Sequence, residues 1–161
     1  MKKLRIYLDT SVINFLFAED APEKRDITIE FFAHVVQQSQ TVFVSQLVVD
    51  EIERTRDPKR RRVLLDGLRD QGLRFLAAEP AAEVQELAKA YLREGVIPPS
   101  AEDDALHVAI CTVNEMDVLV SWNFRHLANI HRERRIAVVN ESLGYVYPLR
   151  IASPPEVMNY G

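Results

Sequence analysis

The sequence predicts an α/β fold, a three-layer α/β/α sandwich in which helices cover both faces of a mainly parallel sheet. Two observations carry this. Short β-rich runs alternate with helical stretches long enough to cross back over a sheet, which is the pattern of βαβ units. The chain has 161 residues, 47% hydrophobic and 27% charged, with five glycines and eight prolines scattered through it. No Ser/Gly-rich linker, repeat or low-complexity segment divides it, so a single domain over residues 1–161 with one buried core is expected.

The elements follow in order. Leu4 to Leu8 alternates and is β-rich, and Asp9 closes it; Thr10 and Ser11 offer capping hydroxyls to a helix carrying Val12, Ile13, Leu16 and Phe17. A longer helix is expected over Glu23 to Gln38. Thr41 to Val44 is a second β-branched run, and Ser45 is the expected cap of a helix from Leu47 to Thr55. Asp57-Pro58 breaks that helix, and another runs from Lys59 to Asp70. Leu73 to Leu76 reads as a short strand, and Pro80 to Arg93 as a helix ended by Gly95. Pro98-Pro99 stops that segment, and Ser100 starts a helix reaching Glu115. Val118 to Val120 and Ile136 to Val139 are expected to supply two further strands.

Composition narrows the function classes. The apolar run at the N-terminus is too short for a signal-peptide core or a membrane span, so a cytoplasmic protein with no membrane partner is expected. The single cysteine, Cys111, sits in an apolar helical pattern and reads as a packed thiol. A formal net charge of -4 gives no global case for binding nucleic acid. That role falls to local clusters: Arg54, Arg56, Lys59 to Arg62 and Arg69, and then His131, Arg132, Arg134 and Arg135.

In a parallel sheet flanked by helices, ligands bind at the carboxyl ends of the strands. Asp9 ends the first strand. Glu51 follows the second by one helical stretch, on the face that Leu47 and Val48 turn inward, where a carboxylate needs compensation; an ion pair with Arg54 is the structural alternative. Asp50 and Glu53 fall off that face and read as solvated charges. Among Glu102, Asp103 and Asp104, Asp103 is paired by spacing with Ser100 as a capping box, and on a helical wheel it shares a polar stripe with His107 and Asn114. Asp104 lies beside Val108 and Cys111 at the edge of the apolar face and is the better site residue. Asn123 follows the strand Val118 to Val120, whereas Asp117 lies at its wrong end. Carboxylates and an amide from several strand ends, without clustered Cys or His, make an oxygen-only site of the kind that Mg²⁺ or Mn²⁺ prefers. No zinc spacing, phosphate-binding glycine loop or nucleophile elbow is present. His107, His126 and His131 are isolated and read as structural or surface groups.

These pieces in this order resemble the PIN-domain family, and its VapC-like toxin branch in particular. The matching segments are Leu8-Asp9-Thr10-Ser11-Val12, then Ser45 to Ile52, then Asp104 to Ile110, and finally Leu119 to Asn129 with Ser121-Trp122-Asn123 at its centre. The resemblance implies a parallel-sheet α/β/α fold and a Mg²⁺- or Mn²⁺-dependent endoribonuclease site. Carried over by position, its acidic residues are Asp9, Glu51 and Asp104, with Ser11 near the metal. The family's frequent fourth acid falls on Asn123, a departure that lowers the negative charge of the site. Arg54, Arg60 and Arg125 are the expected RNA contacts, and a cognate antitoxin and a homodimer are the implied partners. Two other readings stand beside this one. A catalytically weak PIN-like module that binds RNA or protein fits the acidic net charge and Asn123. A phosphorelay receiver needs a lysine late in the chain, and none follows Lys89.

Overall fold

The computed structural model describes residues 3–37, 41–76 and 81–159. Five parallel strands, β1 (Arg5–Leu8), β2 (Thr41–Val44), β3 (Arg74–Phe75), β4 (Val118–Val120) and β5 (Arg150–Ala152), are ordered β3-β2-β1-β4-β5. Between and after them come α1 (Thr10–Leu16), α2 (Pro22–Gln37), α3 (Gln46–Glu53), α4 (Pro58–Asp70), α5 (Ala81–Arg93), α6 (Glu102–Val113), α7 (Ile130–Ser142) and α8 (Pro154–Met158). The expected α/β/α arrangement is therefore present.

Alternation along the strands separates two apolar layers. Tyr7, Leu119 and Ile151 face one layer, packed with α5, α6 and α7 side chains such as Leu87, Tyr91, Val108 and Ile136. Ile6, Leu8, Val44, Val118, Val120 and Ala152 face the other, closed by Val12, Phe31, Val48, Leu64 and Val157. Cys111 is a buried free thiol in the first layer, as its apolar setting suggests.

The central strand β1 has β2 on one side and β4 on the other. The chain leaves β1 toward β2 and leaves β4 toward β5, in opposite directions across the sheet, and a crevice is expected at the carboxyl ends of these strands. Asp9, Ser45 and Ser121 are the residues that follow β1, β2 and β4, and all three are buried.

Three expectations need correction. The run Ile136 to Val139 is not a strand but part of α7, because Asn129 caps a helix there by accepting from the Arg132 amide at 2.8 Å. Within it Ile136, Val139 and Asn140 are buried while Ala137 and Val138 are not, which is helical spacing despite the β-branched composition. The fifth strand is instead the short Arg150–Ala152. Ser100 does not cap the following helix; it lies in a 3-10 turn, Pro99–Ala101, and Asp103 is released to pair with Arg54 at 2.8 Å. Ser45 stands at the start of α3 but makes no side-chain cap, its hydroxyl being used across the sheet by Tyr7. The expected ends Gln38 and Pro80 lie outside the described residues.

Candidate active site

Asp9 ends β1 in extended backbone and is itself the cap of α1, a task expected of the hydroxyls after it. Its Oδ1 accepts from the Ser11 amide at 3.0 Å and from Ser11 Oγ at 2.5 Å. Ser11 Oγ in turn accepts the Trp122 amide at 2.9 Å, so one serine joins the loops that leave β1 and β4. Burial pushes the Asp9 carboxyl up, with nearby Glu51 adding to the rise, while His107 and the Ser11 and Ser121 hydroxyls offset part of it. A buried carboxylate at 3% exposure with a raised proton affinity is a group whose charge the fold has left short of compensation.

Glu51 comes from α3, on the inward face as expected. Its partner is not Arg54. Glu51 Oε1 lies 2.5 Å from His107 Nε2 and accepts from Thr10 Oγ1 at 2.7 Å. His107, three residues beyond Asp104 on α6, is 1% exposed, which overturns its place in a polar stripe. Its Nδ1 lies 2.7 Å from the Tyr7 hydroxyl, which lies 2.7 Å from Ser45 Oγ. A chain of buried groups therefore runs from Ser45 through Tyr7 and His107 to Glu51.

The electrostatics of that chain are reciprocal. Burial pushes His107 down, but the hydrogen bond and charge of Glu51, with Asp9 and Asp104, more than reverse this and hold it above its ordinary value. Burial likewise pushes Glu51 up, but the bond and charge of His107, with the Thr10 hydroxyl and the Arg54 charge, together outweigh it and hold that carboxyl low. The imidazolium can donate to Tyr7 and Glu51 at once, which leaves the Tyr7 hydroxyl to donate to Ser45. Tyr7→Phe removes one partner from each of two buried groups. It is expected to lower stability by about 1–3 kcal/mol, read as a lower urea midpoint with an unchanged slope. An unchanged midpoint would mean that the hydroxyl carries no net role.

Asp104, one turn before His107, completes the acidic set. Its Oδ2 accepts from Asn123 Nδ2 at 2.9 Å. Burial raises this carboxyl, the charges of Asp9 and Glu51 raise it further, and it is pushed up to about 6. The structure thus places Asp9, Glu51 and Asp104 within electrostatic reach of one another and of His107, with Ser11 and Asn123 as direct supports. Thr10, Tyr7, Ser45 and Ser121 were not legible as site groups.

The donor set is one a hard divalent cation favours: carboxylate oxygens that repel each other, supported by hydroxyls and an amide. Their present side-chain positions do not form a ligand cage. Among the described residues no group of three or more His, Cys, Asp or Glu is arranged to hold a metal ion. Glu51 Oε1 is taken by His107 and Thr10, and Asp104 Oδ2 by Asn123. The set fits a cation by chemistry and charge, through the carboxylate oxygens those bonds do not occupy.

The three expected RNA contacts differ in position. Arg125 is exposed beside the loop that follows β4. Arg54 is paired with Asp103 at the edge of a groove of about 830 Å³ that also reaches Asp104 and His126. Arg60 donates to the Phe17 and Asn14 carbonyls at 2.6 and 2.8 Å, and so ties α4 to the end of α1.

The PIN domain family model matches residues 6–132, from β1 into α7. No curated protein matches the chain in sequence. Among solved structures, one with a similar fold belongs to VapBC2 from Rickettsia felis bound to a DNA fragment from their promoter. It has a TM-score of 0.59 and 14% identity, over 93% of this chain and 98% of that one, a likeness of fold.

Proposed function

This chain belongs to the PIN domain family, and from that premise we propose that it is a Mg²⁺- or Mn²⁺-dependent endoribonuclease, the toxin of a type II toxin–antitoxin pair. The observation that carries the reading is the set of three mutually repelling carboxylates, Asp9, Glu51 and Asp104, gathered at the switch point of the sheet. Asp9 and Asp104, with Glu51, would hold the cation. When bound, the cation acidifies a water and offsets charge that builds on the scissile phosphate. Ser11 keeps Asp9 oriented, Asn123 keeps Asp104 oriented, and Thr10 with His107 fix one oxygen of Glu51 and leave the other to the site. Arg125 and Arg54 meet the RNA backbone, positioning it without reading sequence. Arg60, being tied to backbone carbonyls, supports α1 instead.

The fold shared with VapBC2, itself a complex on promoter DNA, supports an antitoxin as partner. A homodimer and a cytoplasmic location are parts of the same reading. No helix of the described residues is long and apolar enough to cross a membrane.

A second reading, a PIN-like module that binds RNA or protein with little catalysis, is favoured by Asn123 in place of a fourth acid and by carboxylates tied up in hydrogen bonds. Incubating a mixed RNA pool with the protein in Mg²⁺ or Mn²⁺, with and without EDTA, separates the two. Metal-dependent cleavage that EDTA stops is the expected result. Absence of cleavage together with no heat of Mg²⁺ binding would favour the binding module.

A further inference from the structure

The loop after β4 alternates in use. Ser121 and Asn123 serve the acidic site, whereas Trp122 and Phe124 turn to a cluster of rings with Phe15. The Trp122 ring centroid lies 5.8 Å from that of Phe15 and 6.0 Å from that of Phe124, the latter edge to face. Lys24 from α2 places its ammonium 5.0 Å from the Phe15 centroid, 5.4 Å from Trp122 and 5.9 Å from Phe124. No carboxylate of the described residues pairs with that ammonium.

The parts of this cluster are not equally free. Trp122 is 6% exposed and its Nε1 donates to Thr28 Oγ1 at 2.9 Å, so it is a fixed wall. Phe124 stands against that wall at 47% exposure and offers ring surface to solvent. Arg125 beside it is exposed. The ledge is continuous with the acidic site: the Trp122 amide binds Ser11 Oγ, and Asn123 between the two rings binds Asp104.

We propose that Phe124, backed by Trp122 and Phe15 and flanked by Lys24 and Arg125, is a stacking ledge that seats an unpaired base of single-stranded RNA next to the acidic site. Three features select this occupant. An exposed aromatic face stacks on any base, because every base has a π-face, whereas a base held in a duplex offers none. An ammonium that lies over those rings and pairs with no carboxylate of the described residues, together with an adjacent guanidinium, supplies the positive charge that a phosphate strand needs on a chain of net charge -4. Trp122 bonds to Ser11, which bonds to Asp9, and Asn123 bonds to Asp104, so the ledge is carried on the same loop as supports of the acidic site and a stacked base would hold the strand beside it. The inference rests on the ribonuclease reading for its location and extends it to a base-contacting residue, Phe124, outside the acidic set.

Trp122 is the only tryptophan, so its emission reports on the ledge alone. Binding of dye-labelled oligo(U) to the full chain is measured by anisotropy in EDTA, where no metal-dependent cleavage can intervene, alongside Trp122 emission. Oligo(U) should bind and change that emission, and the same oligomer annealed to oligo(A) should bind more weakly and leave it unchanged. Phe124→Ala should weaken oligo(U) binding about tenfold, Phe124→Tyr should restore it, and Lys24→Met should reduce the slope of log affinity against log salt by about one. Because Phe124 is half-exposed, its truncation leaves the core intact, which circular dichroism verifies. Equal affinity of Phe124→Ala and the wild type, or a duplex that binds as well as the single strand, would overturn the ledge. That result is separable from failure of the ribonuclease reading: cleavage with Mg²⁺ but no effect of Phe124→Ala rejects the ledge alone, and ring-dependent binding without cleavage rejects the nuclease alone.

Discussion

Asp9→Asn should reduce metal-dependent RNA cleavage by about a hundredfold or more, while the protein melts at the same temperature or higher. Both halves come from one fact. Asp9 is the most buried of the three carboxylates, and it stays short of compensation even with His107 and two serine hydroxyls nearby. Its folded-state proton affinity is raised, so at neutral pH the ionised group opposes folding, and it does so increasingly as pH rises above the unfolded carboxyl value. Asparagine removes that charge yet keeps an oxygen for the Ser11 amide, and it is as good a helix cap as aspartate. What it cannot do is give a divalent cation a charged ligand. A site that gains stability as it loses activity is holding repulsion for function rather than for the fold. Cleavage kinetics and a thermal melt of the same preparation check the prediction. Full activity would remove Asp9 from the site, and a sharp fall in melting temperature would make it a structural cap alone.

How far the sequence disclosed this arrangement depended on the physical scale of each signal. Strand ends marked by an abrupt polar residue, Asp9 after Leu8 and Ser45 after Val44, were legible because local hydropathy changes within one residue. The order of carboxylates along the chain and the inward face of Glu51 followed from periodicity. Pairings across the fold did not. Glu51 is bound by His107, 56 positions away, and Thr10, 41 positions away, while the nearer Arg54 turns to Asp103. Helical spacing put His107 beside Asp103 on a polar stripe, but α6 packs with that side chain inward, and a wheel cannot say which side faces the sheet. The clue was its place three residues after Asp104, within one turn. The misassigned strand has a similar cause: the β-branched run at Ile136 outweighed Asn129 as a cap seven residues earlier, whereas Arg150–Ala152, only three residues long, left no periodicity to detect.

Mg²⁺ affinity should rise with pH up to about pH 6 and then level, falling about tenfold for each unit below that value, because the cation must displace the proton that Asp104 holds until about 6. The stability of the metal-free protein should move the other way. The Asp104 carboxyl is raised from 3.8 to about 6, so the folded state binds a proton more tightly than the unfolded chain, and stability is lost as pH climbs through that interval. His107 acts in the same direction: its raised affinity stabilises below the unfolded histidine value, and that contribution disappears as pH passes its folded value. Glu51 runs opposite, since its lowered value gives stability that is present above 4.5 and is lost as pH falls through the folded value. Metal-free melting temperatures should therefore decline from about pH 5 toward pH 8, while the upward shift produced by a fixed Mg²⁺ concentration grows up to about pH 6 and then levels. Asp104→Asn should flatten the Asp104 part of both curves. Replacing Asn123 by Asp tests the same repulsion from the other side. It sets a carboxylate against Asp104 where an amide now donates at 2.9 Å, which should lower metal-free stability and enlarge the Mg²⁺-induced shift. A Mg²⁺ shift independent of pH, or one that shrinks in Asn123→Asp, would show that the cation does not compete for the Asp104 carboxylate.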